Sequence, residues 1–115
     1  MKTFITWTIA STLLGISCSA IADATSDTIA LVKNVKTDCF NCHQVDKKIV
    51  GPAWKDVAAR YKGDPTAQAA LVDKVIKGGK GHWDKETGGL PMTPHPLTPS
   101  KEEIQQIIAA ILQIQ

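Results

Sequence analysis

The chain is short of the side chains that fill most small cores. Of its 115 residues only 5% are aromatic: three Trp, two Phe and one Tyr. A small domain with so little aromatic bulk struggles to bury a sufficient core alone. An excess of one charge is lacking as well. Thirteen Lys and Arg stand against eleven Asp and Glu, a formal net charge of +2, which is no footprint for nucleic acid. Alternation of apolar and polar residues is absent around the cysteines, so no strand is expected there. Nor is there an apolar run fit to span a bilayer. The best run lies near the N-terminus and is broken by Thr and Ser, whereas a spanning helix needs about 20 apolar residues.

That N-terminal stretch has another purpose. Lys2 gives a short positive start, Phe4-Ile5-Thr6-Trp7-Thr8-Ile9-Ala10 and Leu13-Leu14-Gly15-Ile16 form the apolar part, and Ser19-Ala20-Ile21-Ala22 closes it. The pattern predicts a secretory signal peptide over residues 1–22, cut after Ala22 with Ala24 as the alternative, and one small domain over residues 23–115. Losing Lys2, the leader's single charged residue, lowers the net charge from +2 to +1. Cys18 leaves with the leader. A lipoprotein would keep it as a lipidated first residue, but Leu14 stands one position too early for that signal. The expected location is the periplasm, with no membrane insertion after cleavage.

Cysteine is scarce, three in all, and the pair left after cleavage falls in Cys39-Phe40-Asn41-Cys42-His43. This C-x-x-C-H run reads as an attachment site for haem c. Two thiols with two residues between them can reach the two vinyl groups on one edge of the macrocycle and form thioethers. The next residue, His43, then lies under the iron and can supply an imidazole nitrogen as axial ligand. One covalently held haem per chain would also provide the apolar bulk that the aromatics do not. Export fits this reading, because an oxidising compartment would otherwise join the thiols as a disulfide. Two other chemistries use such residues. A thioredoxin-type dithiol belongs near a βαβ pattern, which is missing. A zinc site could add His82 or His95 as a fourth ligand, but nothing else in the chain looks like a zinc ribbon.

The periodicity predicts four short helices. Ser26-Asp27-Thr28 opens the first, with Ser26 as N-cap, Ile29, Val32 and Val35 along one face, and an end near Lys36. After His43 a loop leads to Gly51-Pro52. The Pro52 carbonyl is free to accept the Nδ1 proton of His43 and fix the ring, while Pro52 also suits the first position of the next helix. That helix covers residues 53–62, with Trp54, Val57, Ala58 and Tyr61 on one face and Gly63 ending it. Asp64-Pro65 restarts the chain as N-cap and first residue of a third helix, which carries Ala67, Ala70, Leu71, Val75 and Ile76 and stops at Gly78-Gly79. Its alanines suggest close approach to a neighbour. Residues 77–99 are rich in Gly and Pro and exclude a long regular element. A loop of about twenty residues is uncommon and usually functional. Ser100-Lys101-Glu102-Glu103 is a capping box, and Ile104, Ile107, Ile108, Ile111 and Leu112 follow as a helical stripe.

The long loop holds the candidates for the second axial position. Met92 is the sole methionine once the leader is gone, and it stands in Leu90-Pro91-Met92-Thr93-Pro94. The flanking prolines lower the entropy lost in presenting its side chain. A core gap-filler is the plainer role for a methionine, but Met92 lies outside any periodic helix. His82 and His95 are the rivals and are expected to be exposed. His95 is three residues from Met92, so both could hardly reach one iron. Trp83 is either a buried aromatic or an indole N–H donor to a haem propionate.

With these residues in view, the chain resembles the small class I c-type cytochromes of bacterial periplasms. Cys39-Phe40-Asn41-Cys42-His43, Val50-Gly51-Pro52-Ala53-Trp54-Lys55-Asp56-Val57-Ala58 and Pro91-Met92-Thr93-Pro94 carry the likeness, which extends over the whole domain. The resemblance implies an all-α cytochrome c fold, four short helices wrapped around one covalently attached haem. It implies His43 and Met92 as axial iron ligands and Pro52 as support for the histidine. Trp83, assisted by Lys74, would stand at a propionate. The stretch Asp84-Lys85-Glu86-Thr87-Gly88-Gly89 is longer than expected between the tryptophan and the methionine. The implied function is a monomeric carrier of single electrons between redox protein partners, with both axial positions filled and no catalytic residues. The other classes are a haem enzyme with a labile sixth site, peroxidase-like or gas-binding, and a Cys/His zinc module. Docking to partners could use Lys33, Lys36, Lys47, Lys48, Lys55, Lys62, Lys74, Lys77, Lys80 and Lys85, spread over the segments expected to flank the haem.

Overall fold

The computed structural model describes residues 24–35 and 37–115. The expected leader, its cleavage after Ala22, Cys18 and Lys36 lie outside the described residues. Among the described residues five α-helices follow in order: α1 (Ala24–Asn34), α2 (Trp54–Arg60), α3 (Ala67–Lys77), α4 (Asp84–Thr87) and α5 (Lys101–Ile111), with a 3-10 turn at Cys39–Asn41 before α2. Among the described residues the only β pairings are two isolated bridges, His43 with Lys48 and Gly79 with Met92. The all-helical expectation holds, and the helix beyond the four expected, α4, is a single turn.

The last helix forms because its ends and its face agree. Ser100 Oγ accepts the Glu103 N–H at 3.3 Å while Glu103 Oε2 accepts the Ser100 N–H at 2.8 Å, the reciprocal bonds of a capping box. Ile104, Ile107, Ile108 and Ile111 are buried along one face. Helices α1 and α3 pack most heavily against α5, and α2 joins them. Val32, Trp54, Val57, Ala58 and Val72 complete the core.

Several starts and faces differ from expectation. Helix α1 already includes Ala24, the first residue described, so Ser26 sits within the helix instead of capping it. The buried Thr28 donates Oγ1–H to the Ala24 carbonyl at 2.7 Å, which ties that earlier turn to the helix. Helix α3 begins at Ala67. Asp64 Oδ1 accepts both the N–H and the hydroxyl of Thr66, at 2.8 and 2.7 Å. Asp64-Pro65 is therefore an Asx turn ahead of the helix, not its cap. These bonds hold the Asp64 carboxyl below its usual pKa. Pro52 precedes the N-cap Ala53 and is not the first helical residue. On α3, Ala67 and Val72 are buried, whereas Ala70 is exposed and lines a cavity. The small side chain at 70 thus leaves room for that cavity and brings no neighbour close. The stretch after Trp83 closes as α4, ended by Gly88 in the left-handed conformation at φ 64° and ψ 25°.

Candidate functional site

The cysteines stand on the 3-10 turn, where Cys42 N–H and His43 N–H both reach the Cys39 carbonyl, at 3.2 and 2.9 Å. The chain returns so that Gly51 N–H donates to the Cys42 carbonyl at 2.7 Å. This brings the Pro52 carbonyl to 2.8 Å from His43 Nδ1. A carbonyl only accepts, so Nδ1 carries the proton and Nε2 keeps its lone pair. Burial pushes the imidazole below its ordinary pKa, and the Pro52 carbonyl pulls the other way. The net lowering favours a neutral ring, the form that can ligate a metal. Gly51 is part of the same grip. A Cβ there would stand 2.8 Å from each ring nitrogen of His43. Trp54 lies nearly parallel to the imidazole, with centroids 6.1 Å apart and planes 19° apart, and Phe40 tilts against Trp54 at 5.2 Å. Cys39 and Cys42 are free thiols, and burial raises the pKa of Cys39, with smaller opposing bonds from Thr37 and its own backbone.

These residues open on a cavity of about 630 Å³, a volume typical of cofactor sites. All seven residues expected to form the site line it: Cys39, Cys42, His43, Pro52, Lys74, Trp83 and Met92. The rest of the wall is largely apolar, with Val57 from α2, Leu71 from α3 and Ile104 and Ile108 from α5. Met92 is brought there by its backbone. Gly79 N–H donates to the Met92 carbonyl at 2.9 Å and Met92 N–H to the Gly79 carbonyl at 3.1 Å. Lys74 donates its ammonium to the Lys80 carbonyl at 2.5 Å.

The rival histidines part company here. His82 is exposed, as expected. His95 is not: its side chain is 15% exposed, and Nδ1 lies 3.8 Å from Asp38 Oδ1. The cause is backbone docking, since His95 N–H donates to the Val75 carbonyl at 3.0 Å and draws the loop onto α3. Both histidines reach the cavity wall. Among the described residues no three His, Cys, Asp or Glu side chains gather as a metal-holding group.

Few of the described lysines reach the cavity wall. Of those expected to flank it, Lys74 and Lys80 line it. Lys33 and Lys47 border a separate hollow of about 360 Å³ beside Ile29 and Phe40, and Lys77 pairs with Asp73 at 2.8 Å. Val50 and Leu90, 46% and 60% exposed, stand on the cavity wall instead. Arg60 was not singled out from the sequence. Its guanidinium carbon lies 5.3 Å from the centre of the Trp83 ring, a cation–π distance. A lone arginine at a helix end carries no sequence signal for that contact.

The donor set fits haem c: two free thiols beside a neutral imidazole with its Nε2 available, a thioether on the same cavity, and an apolar lining. Comparisons with known proteins agree. The family description for cytochrome c matches residues 30–115. The chain is 43% identical over 103 residues to cytochrome c-551 of Allochromatium vinosum, covering 90% of this chain and 97% of that one. It is 40% identical over 95 residues to cytochrome c-552 of Nitrosomonas europaea, covering 83% and 82%. The crystal structure of wild-type Nitrosomonas europaea cytochrome c552 superposes with a TM-score of 0.64 at 34% identity, covering 76% of this chain and 99% of that one. The chain belongs to the cytochrome c family, with its fold and its covalently attached haem c, and Cys39 and Cys42 fit the family's haem-binding motif.

Proposed function

We propose that this protein is a periplasmic single-electron carrier in which Cys39 and Cys42 hold one haem c and His43 and Met92 occupy the two axial positions of its iron. Family membership supports electron transfer in general. The observation that carries the finer reading is the pairing of His43 and Met92 on one cavity, with the imidazole already fixed through Nδ1 to Pro52. When bound, haem c supplies an iron that takes up and releases one electron, and His/Met ligation raises its potential.

The chain's own residues do the rest. Pro52 and Gly51 keep the His43 ring in one orientation, and Met92 presents a neutral thioether. The apolar wall of Val57, Leu71, Ile104 and Ile108 keeps water away. Trp83 and Lys74 offer an indole N–H and an ammonium to the cofactor's carboxylates, with Arg60 behind the indole. With both axial positions filled no substrate reaches the metal, so the protein is a carrier and not a catalyst. Partners meet the exposed edge at Val50 and Leu90, and the carrier acts as a monomer exported by its leader.

The test is an absorption spectrum of the purified protein in both redox states, followed by acid–acetone extraction. Low-spin six-coordinate haem that stays with the polypeptide is expected. A five-coordinate spectrum, or rapid carbon monoxide binding by the reduced protein, would point to a haem enzyme or gas-binding protein. Haem that extracts freely would remove the attachment claim.

A further inference from the structure

We propose that Gly78 is a positioning residue for Met92, because the missing side chain at the end of α3 is what lets the methionine loop seat on the cavity. The proposal rests on Met92 as axial ligand and asks what holds it there.

Gly78 is buried and has φ 65° and ψ −151°, a backbone conformation essentially confined to glycine. Its surroundings are equally restrictive. A Cβ at position 78 would stand 2.7 Å from Pro94 N and 3.0 Å from Pro94 Cα, and it would press on the Met92 carbonyl oxygen at 2.5 Å. All three are backbone atoms, so no side-chain rotation relieves the contact. Pro91 and Pro94 bracket Met92 and stiffen the segment, so it must shift as a unit. The shift would act on the Met92 carbonyl, the acceptor for Gly79 N–H. That bond, its reciprocal from Met92 N–H, and the His95 N–H bond to Val75 tie this segment to the end of α3. Opening them moves the thioether off its place. A site of this kind tolerates displacements of only about 0.5 Å.

Gly63, after α2, provides an internal control. It too has a positive φ, 79°, yet a Cβ there would meet nothing within 4 Å. Alanine at 63 strains the backbone away from the methionine segment.

The experiment compares Gly78→Ala, Gly63→Ala and Met92→Ala in the haem-loaded protein. It reads the weak sulfur-to-iron charge-transfer band of the oxidised form and carbon monoxide binding by the reduced form. Gly78→Ala is expected to lose the band and admit carbon monoxide, as Met92→Ala does, while Gly63→Ala keeps the band and excludes the gas. A Gly78→Ala protein that keeps its band and excludes carbon monoxide overturns the proposal and leaves Met92 ligation standing. Equal loss in Gly78→Ala and Gly63→Ala also overturns it, since backbone strain alone would then suffice. A Met92→Ala protein that retains the band defeats the ligand assignment itself. If Gly78→Ala yields no loaded protein, amide exchange in the unsubstituted protein decides. Gly79 and Met92 N–H should exchange as slowly as the amides of α3 and α5. Exchange at open-loop rates overturns the seat.

Discussion

The two walls of the cavity hold their key residues by opposite means. His43 is gripped through its ring, by the Pro52 carbonyl, the bare backbone of Gly51 and the parallel face of Trp54. Every element of that grip lies between Cys39 and Trp54. Met92 is held through its main chain, by bonds to Gly79, 13 residues back, and by the seating of its loop on α3. Its tethers close over 13 and 20 residues, Gly79 to Met92 and Val75 to His95, whereas the histidine wall closes over 9 and 11, His43 to Pro52 and Trp54. Local closure loses little chain entropy and non-local closure loses more. The histidine side should therefore persist when the fold is loosened, and the methionine side should yield first.

The harshest way to break the contrast is to crowd the firm wall. Gly51→Ala places a methyl group against both ring nitrogens of His43, and the ring, bonded to Pro52 and backed by Trp54, has nowhere to turn. Overpacking of this kind costs about 1–3 kcal/mol. Lower denaturation midpoint and lower yield of haem-loaded protein are expected, measured by denaturant titration. Stability equal to the parent protein would mean that the ring has freedom which the Gly51 and Pro52 contacts do not allow.

The soft wall should fail more gently. Met92→Ala removes a half-buried thioether whose segment is fixed by backbone bonds that alanine keeps. Helix content should stay the same by far-UV dichroism while the charge-transfer band disappears, the potential falls and carbon monoxide binds. Met92→His should preserve six-coordination and still lower the potential, because imidazole favours ferric iron more than a thioether does. An unchanged potential in both variants would take the methionine off the iron.

The same contrast explains what could be read from the sequence. The histidine wall is compact in sequence, so C-x-x-C-H and the following Gly-Pro exposed nearly all of it: both thiols, the ring and its carbonyl partner. Met92 itself was legible from its proline brackets. Its tether was not, since a single bridge between Gly79 and Met92 leaves no periodicity to detect. The stripe on α3 misled for a related reason. Apolar spacing marks a face that avoids water, but it cannot say whether that face meets protein, as Ala67 does, or a cavity, as Ala70 and Leu71 do. The helix starts failed on local chemistry. Asp64 satisfies Thr66 in a turn where a cap was expected. The burial of His95 followed from its backbone bond to Val75, which no residue pattern announces.

Docking should distinguish the walls by a smaller margin. Leu90, beside the methionine, and Val50, beside the histidine loop, expose apolar surface at the cavity, while Lys80 is the exposed lysine there. Contact through such an edge depends weakly on screening. Raising salt through about 0.1 M, where the Debye length is about 10 Å, should change electron transfer to a protein partner only slightly. Leu90→Ser should slow it more. A steep fall with salt and no effect of Leu90→Ser would shift docking to the lysines.

The smallest effects belong to the two histidines that share the cavity wall with Met92. His82 is exposed and accounts for no contact that holds the methionine segment. His82→Ala should leave the low-spin spectrum, the charge-transfer band and the denaturation midpoint as they are. His95 has more to lose. Its ring is mostly buried, and its nearest carboxylate, Asp38, is 65% exposed at 3.8 Å. An ion pair at that distance and exposure contributes at most about 1 kcal/mol, and only when the imidazole is protonated. The tie to Val75 is a backbone bond that His95→Ala retains. His95→Ala should therefore lower stability modestly through lost packing, and Asp38→Asn should lower it less. Neither should alter the axial ligands, because the bonds that seat Met92 remain in place. The spectrum is the arbiter. Should His82→Ala or His95→Ala abolish the low-spin form while Met92→Ala preserves it, the iron is held by two histidines and the soft wall has been assigned to the wrong side chain.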